Sequence, residues 1–216
     1  MPSHLIGIDV GTSGTKTIVV DLKGKVVASA TASYPLLTPK PGWTEQHPED
    51  WWIAAKKTLR AVLKQSGIKP ENIAGIGFSG QMHGSVFLDK NLRVVRPCLL
   101  WNDSRTAEVC EDITRKLGQK TLHQSVANPV LTGFTLPKVV WLQRNEPRNY
   151  EKVRHILLPK DYVRFRLTGE ILTEISDAAG SLMFDVRRKR WSETVLNALQ
   201  IEPEFLPKVR GSEEIC

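Results

Sequence analysis

The sequence predicts an α/β domain in which a three-stranded antiparallel meander leads into alternating strands and helices. Three observations carry that prediction. Residues 5–34 hold three short apolar runs parted by turn residues, the mark of consecutive strands. Pro48 to Gly67 then places apolar residues at helical spacing. Beyond it, apolar runs at 73–79, 96–101 and 154–158 alternate with helical stretches, which is a layered α/β order.

The first two runs enclose Gly11-Thr12-Ser13-Gly14-Thr15-Lys16 and read as strand, tight turn, strand. Glycines at 11 and 14 are expected to free the turn conformationally and to leave backbone N–H groups open to an anion such as phosphate. Asp9 ends the first run, where its carboxylate would face that anion. Carboxylate and phosphate tolerate each other across a divalent cation, and Mg²⁺ held by one carboxylate, phosphate oxygens and water suits the pattern. Thr12, Ser13 and Thr15 add hydroxyls, and Lys16 adds charge. The competing reading is a hairpin whose Gly and Thr serve the turn alone, with Asp9 a solvated strand end.

Two better-known phosphate motifs do not fit. A P-loop needs Gly-Lys-Ser/Thr opening a helix, whereas Thr15 separates Gly14 from Lys16 and a β-branched run follows. Gly75-Ile76-Gly77-Phe78-Ser79-Gly80 matches dinucleotide spacing, but the residues after it look like another strand rather than a helix.

A third strand spans Lys25 to Tyr34, and Pro35 to Pro48 forms a proline-containing loop. The helix beginning near Pro48 has Glu49 and Asp50 in its first turn, favourable to its dipole, and Gly67 as its stop. Trp52, Ala55, Leu59, Val62 and Leu63 are its expected buried stripe, and Trp51 with Trp52 is read as packing rather than a ligand platform. The strand at 73–79 completes a βαβ unit. Helices are expected at 104–117 and 135–145, the second capped by Thr135, and a strand at 154–158 enters a helix that stops near Gly169. Residues 118–132 have no clear pattern, and His123 within them is assigned to solvent or packing.

Gly80-Gln81-Met82-His83-Gly84 lies between two apolar runs and is read as their shared tip. The glycines admit close approach, Gln81 and His83 offer hydrogen bonds, and Met82 offers a polarizable apolar contact, a set suited to a polyhydroxylated ligand. Asn102 and Asp103, with Arg105, form a weaker candidate at another strand end. There Asp103 or Ser104 is equally placed to cap the next helix.

Bulk properties narrow the function classes. The 216 residues are 41% hydrophobic and 25% charged, an ordinary globular balance long enough for a real core. No secretory leader is seen, and no apolar run approaches the roughly 18 residues of a membrane span. Cys98, Cys110 and Cys216 lack metal-ligand spacing, and their odd number does not suit a disulfide framework. A reduced cytoplasm fits best. The net charge of +7 raises nucleic acid as a partner, but the densest basic run, Arg187 to Arg190, lacks an aromatic platform and reads as a solvated face.

These segments resemble the FGGY carbohydrate kinases. The likeness rests on Gly7 to Lys16, on Trp43-Thr44-Glu45-Gln46 with Pro48 to Trp52, and on Gly80 to Gly84. It rests also on Leu100 to Arg105, Gly133 to Arg144, Leu158 to Tyr162 and Ser176 to Gly180, and so covers nearly the whole chain. The Gln-Met-His-Gly tip and Leu100 to Arg105 look like the xylulokinase branch, with other ketose kinases left open. The resemblance implies a ribonuclease-H-like, actin-type ATPase lobe and a reaction in which ATP phosphorylates the 5-hydroxyl of D-xylulose.

On that resemblance Asp9 serves the phosphate and Mg²⁺ site as catalytic residue and metal ligand, with residues 11–16 on the phosphates. Gln81, Met82, His83, Asn102 and Asp103 serve the sugar. Family members run to about twice this length, so 1–216 is expected to be an N-terminal sugar-binding lobe, with the general base and most of the nucleotide pocket on a second lobe. A chain without them is expected to be inactive. A homodimer stays open.

Overall fold

The computed structural model describes residues 2–215. Strands β1 (His4–Val10), β2 (Gly14–Asp21) and β3 (Val26–Ser33) form the expected antiparallel meander. After the short β4 (Glu45–Gln46), helix α1 (Pro48–Ser66) carries the chain back to β5 (Ile73–Gly80). β5 pairs parallel with β1, completing a four-stranded sheet of order β3-β2-β1-β5. The register sets Asp9 opposite Lys16 on one side and Ser79 on the other. Gly75 to Gly80 thus lie within a strand and open no helix.

The remaining strands are shorter: β6 (Val86–Leu88), β7 (Cys98–Leu99) and β8 (His155–Leu157), with β7 paired to β4 and β8 to β6. Between β7 and β8 lie α2 (Ala107–Leu117), α3 (Gln119–Ser125), α4 (Thr135–Asn145) and α5 (Pro147–Tyr150). Next come α6 (Pro159–Thr168), β9 (Leu172–Glu174) and α7 (Ile175–Ala179). The hairpin of β10 (Phe184–Asp185) and β11 (Arg190–Trp191), then α8 (Glu193–Leu199) and β12 (Lys208–Arg210), complete the order. No helix among the described residues is long and apolar enough to cross a membrane.

Two apolar clusters hold these elements. One lies between the sheet and helices α1 and α6, with Ile6, Ile8, Val10, Trp51, Val62, Tyr162 and Val163 at its centre. The other gathers α2, α4 and α8 around Ile113, Leu136, Leu142 and Val195. Alternation along the strands sends Leu5, Gly7 and Asp9 to the opposite sheet face, together with Lys16 and Ile18. That face is poorly covered: Leu5 is 42% exposed, and Asp9, Lys16 and Gly77 are all exposed.

Several expectations are corrected. The segment after β5 is no hairpin tip, because β5 belongs to the four-stranded sheet and β6 pairs elsewhere; residues 81–85 cross between the two. The 96–101 strand shortens to Cys98–Leu99, and the helix expected at 104 begins at Ala107. The buried stripe of α1 runs through Trp51, Ala54, Ala55, Thr58 and Val62. Thr58 is tolerated there because its hydroxyl meets that of Thr17 at 2.7 Å and the carbonyls of its own helix. Residues 118–132 contain α3, on which His123 is exposed. Thr135 does not cap α4, since its hydroxyl donates across the chain to the carbonyl of His83. Arg187 to Arg190 are exposed around the β10–β11 turn, as a solvated face should be.

Candidate functional site

The turn between β1 and β2 closes on a bond from the Gly11 amide to the Gly14 carbonyl, 3.1 Å. Neither glycine has positive φ, so the turn does not need their left-handed freedom. Gly14 is required for another reason: a Cβ there would lie 2.7 Å from the Ala32 carbonyl oxygen on β3. With the Gly11 amide used internally, the amides of Thr12 and Ser13 are the ones without a backbone partner. Thr15 is fully buried beneath the turn, so its hydroxyl is not presented to a ligand. Tyr34, whose hydroxyl is pushed up to about 12 by burial, donates to the Gly11 carbonyl and ties the turn to the end of the meander.

Asp9 stands on the open sheet face, where its Oδ1 accepts from the Ser79 hydroxyl at 2.7 Å. It borders a hollow of about 400 Å³ with Gly7, Lys16, Ile18, Gly77 and Ser79. No group of three or more His, Cys, Asp or Glu side chains able to hold a metal occurs among the described residues. A protein-only cage is therefore not what this site offers. An exposed single carboxylate does suit a cation that keeps most of its waters and shares phosphate oxygens.

The crossing after β5 begins as a continuation of the sheet, with the Gln81 amide donating to the Val10 carbonyl at 2.8 Å. The Gln81 side chain is buried and donates to Gln46 Oε1 at 2.9 Å, an oxygen that also accepts from Trp51 Nε1 at 3.0 Å. Gln46 Nε2 in turn donates to the Thr12 carbonyl at 2.7 Å. Two buried glutamines thereby join the crossing to the β1–β2 turn. Gln81 thus spends its Nε2 on the scaffold, while its buried Oε1 has no hydrogen-bond partner.

Met82 is 53% exposed and His83 half-buried, so both can meet a ligand. His83 takes φ 62°, a left-handed conformation uncommon for a residue with a Cβ. Its ring packs on Phe134 at 4.6 Å between centroids, and a Cβ on Gly180 would come within 2.7 Å of its Cε1. Burial first and the nearby Lys138 charge second hold the imidazole below its ordinary value, against pulls from Asp177 and a bond to the Gly180 backbone. It borders a second hollow of about 490 Å³ with Cys110, Leu131, Gly133 and Phe134. The turn and His83 thus lie at the same end of β1 and β5 but line separate hollows in this chain.

Asp103 departs from the expectation of a sugar contact. It is 1% exposed, accepts from the Thr44 amide at 2.7 Å, and holds Arg105 through both oxygens. Arg105 also meets Glu45 at 2.7 Å and lies 3.7 Å over the Trp43 ring. Asp103 is consumed in a buried ion network that pins residues 43–45 to the 101–106 turn. Asn102 is exposed and only its Oδ1 is engaged, by the Thr44 hydroxyl at 2.8 Å.

Trp101 was not singled out by sequence reasoning, although a Trp directly after an apolar run and before Asn-Asp-Ser was the available signal. It is 45% exposed, and its Nε1 donates to the Thr12 hydroxyl at 3.0 Å. Its carbonyl oxygen would lie 2.9 Å from a Cβ on Gly133, which leads directly to Phe134 beneath His83. Trp101 thus meets the phosphate-type turn through its indole and Gly133 through its backbone.

A family model described as the FGGY family of carbohydrate kinases, N-terminal domain, matches residues 4–216. The chain belongs to this family. Its lobe has the family's ribonuclease-H-like, actin-like ATPase fold. A xylulose kinase of Lactococcus lactis is 45% identical over 212 residues, 98% of this chain and 42% of that protein. Among solved structures, a xyloylose kinase from Brucella ovis superposes with a TM-score of 0.91 at 37% identity, covering 96% of this chain and 43% of that one. A gluconate kinase from Lactobacillus acidophilus gives 0.89 at 28% identity, with 96% and 42% covered. The chain thus spans about two fifths of the length of the relatives it matches.

Proposed function

We propose that this chain is the sugar-binding lobe of an ATP-dependent kinase acting on the 5-hydroxyl of D-xylulose in the cytoplasm. The observation that carries this reading is the pairing at one end of the sheet. Exposed Asp9, held by Ser79 beside Lys16, stands one buried glutamine pair away from the accessible Met82-His83 turn. The similarity to xylulose kinases along nearly the whole chain supports the choice of sugar.

In that reading Met82 and His83 contact the sugar, with Asn102 and the indole of Trp101 available beside them. Asp9, the Thr12 and Ser13 amides and Lys16 would take the Mg²⁺-bound phosphates. Mg²⁺ would neutralise the charge that develops on the transferred phosphoryl group, where catalysis is mostly placement and charge stabilisation. A neutral imidazole, as burial favours at His83, can accept from or donate to a sugar hydroxyl without adding charge. The general base and the rest of the nucleotide pocket would come from a second lobe, whose closure would exclude water.

Calorimetry on the purified chain tests this. D-xylulose is expected to bind, with His83→Ala abolishing the heat and Asp9→Asn leaving it intact. Phosphorylation by this chain alone is expected to be undetectable; turnover near the usual ~10 s⁻¹ would overturn the division into two lobes. Stronger binding of gluconate than of xylulose would overturn the choice of sugar. Sugar binding indifferent to MgATP even in a complete protein would favour a sensing module over a kinase.

A further inference from the structure

Lys138 lies on α4 and is fully buried, and its three partners are carbonyl oxygens rather than a carboxylate. Its Nζ donates to His83 at 3.2 Å, to Phe134 at 2.9 Å and to Gly133. Those bonds use all three protons of an ammonium. Burying a charge without an opposite charge is costly, and here burial pulls the lysine down to about 7. Three carbonyl oxygens converging on one point also repel one another unless a donor sits between them. The lysine and the three carbonyls therefore depend on one another.

What this clamp fixes is the backbone of His83. That carbonyl receives a second donor, the Thr135 hydroxyl at 3.2 Å. The next residue is locked too, since a Cβ on Gly84 would meet Pro159 Cγ at 2.7 Å. The left-handed φ of His83 is unfavourable in an L-residue and persists only where its surroundings enforce it. Of the other two residues held by the ammonium, Phe134 is the ring on which the imidazole packs, and Gly133 precedes it in the lining of the same hollow.

We propose that Lys138 is a positioning residue of the sugar site: by gathering the carbonyls of His83, Gly133 and Phe134 it sets the backbone of the Met82-His83 turn and seats the imidazole on Phe134. Its importance for sugar rests on the reading of that turn as the sugar contact. The seating of the ring does not rest on it.

The test compares the wild-type chain with Lys138→Met and Thr135→Val, measuring the His83 imidazole resonances by NMR and D-xylulose affinity by calorimetry. Lys138→Met is expected to melt below wild type yet fold, to lose the ring-current displacement that Phe134 imposes on His83, and to weaken xylulose binding tenfold or more. Thr135→Val removes the other donor to the His83 carbonyl and is expected to move the same resonances less, with affinity down about threefold. A folded Lys138→Met protein whose His83 resonances match wild type would overturn the proposal. If Lys138→Met fails to fold, unchanged His83 resonances in Thr135→Val overturn it and displaced ones support it. Should wild type bind no xylulose, the sugar reading fails by itself while the resonances still decide the clamp.

Discussion

The turn after β1 and the crossing after β5 occupy the same end of one sheet, and they are held in opposite ways. At the turn, Asp9, Ser13 and Lys16 face solvent, the Thr12 and Ser13 amides have no backbone partner, and the sheet face beside them is uncovered. At the crossing, Gln81 is buried in a glutamine pair, the His83 carbonyl has two donors, and Gly84 and Gly180 fit so closely that a methyl group would collide. The crossing is ordered before any ligand arrives, so a sugar would bind there with little ordering cost. The turn keeps its charge and donors unspent, as a surface awaiting an anion and a covering partner would.

The largest test of the contrast is Asp103→Ala, on the ordered side. It leaves Arg105 buried with half its carboxylate partners, and breaking a buried pair costs about 3–5 kcal/mol. Because Glu45 remains to Arg105, a loss near the lower limit is expected in urea unfolding. An unchanged midpoint would mean that Asp103 is not the structural carboxylate its burial indicates.

Gly84→Ala comes next. Its Cβ would press on Pro159 Cγ at 2.7 Å and on Cys98 Sγ at 3.0 Å, and overpacking of this kind costs about 1–3 kcal/mol. Xylulose affinity is expected to fall with stability, because the same strain displaces His83. Loss of stability with full affinity would show that the crossing does not position the ligand.

A smaller effect follows from Glu174, which caps α7 through the Ser176 and Asp177 amides and so supports Gly180 beneath His83. Partial burial pushes its carboxyl up, but bonds from Ser212, the two amides and the Ser176 hydroxyl outweigh this and bring it down to about 2. A folded value below the unfolded one means that its stabilisation is complete above the ordinary value of 4.5 and is lost as pH falls towards 2. His83 resonances are expected to broaden over that acid range in wild type. In Glu174→Gln that pH dependence should be absent.

Least effect on stability is expected from Asp9→Asn. An exposed substitution of this kind lies within about 0.5 kcal/mol, and the Ser79 hydroxyl can still donate to the amide oxygen. If Asp9→Asn unfolds the protein, the turn is as structural as the crossing and the contrast fails.

Local patterns made much of this legible. The meander, the Pro48-to-Gly67 helix and the strand–helix step ending at Gly169 all follow from periodicity and end signals a few residues long, and the structure has them there. What escaped were long-range pairings. Asp103 looks like a cap or a ligand until Arg105, Glu45 and Thr44 close around it. Gly14 looks like a flexible turn residue until β3 brings the Ala32 carbonyl against it. Gln81 looks like a ligand donor until Gln46, 35 residues earlier, takes its amide. In each case the residue type announced a need, and only packing decided which partner met it.

The uncovered pleat of Leu5, Gly7 and Ile18 bears on more than adhesion. Water gains by leaving such a surface, at about 25 cal/mol for each Å² of hydrocarbon screened. Whatever body screens it would also drain the hollow beside Asp9, turning a site wetted by bulk solvent into one of lower dielectric. Attraction between unit charges at 4 Å rises from about 1 kcal/mol in water to about 4 kcal/mol under partial shielding. The same seam that hid the hydrocarbon would thereby strengthen the grip of a lone carboxylate on a hydrated cation.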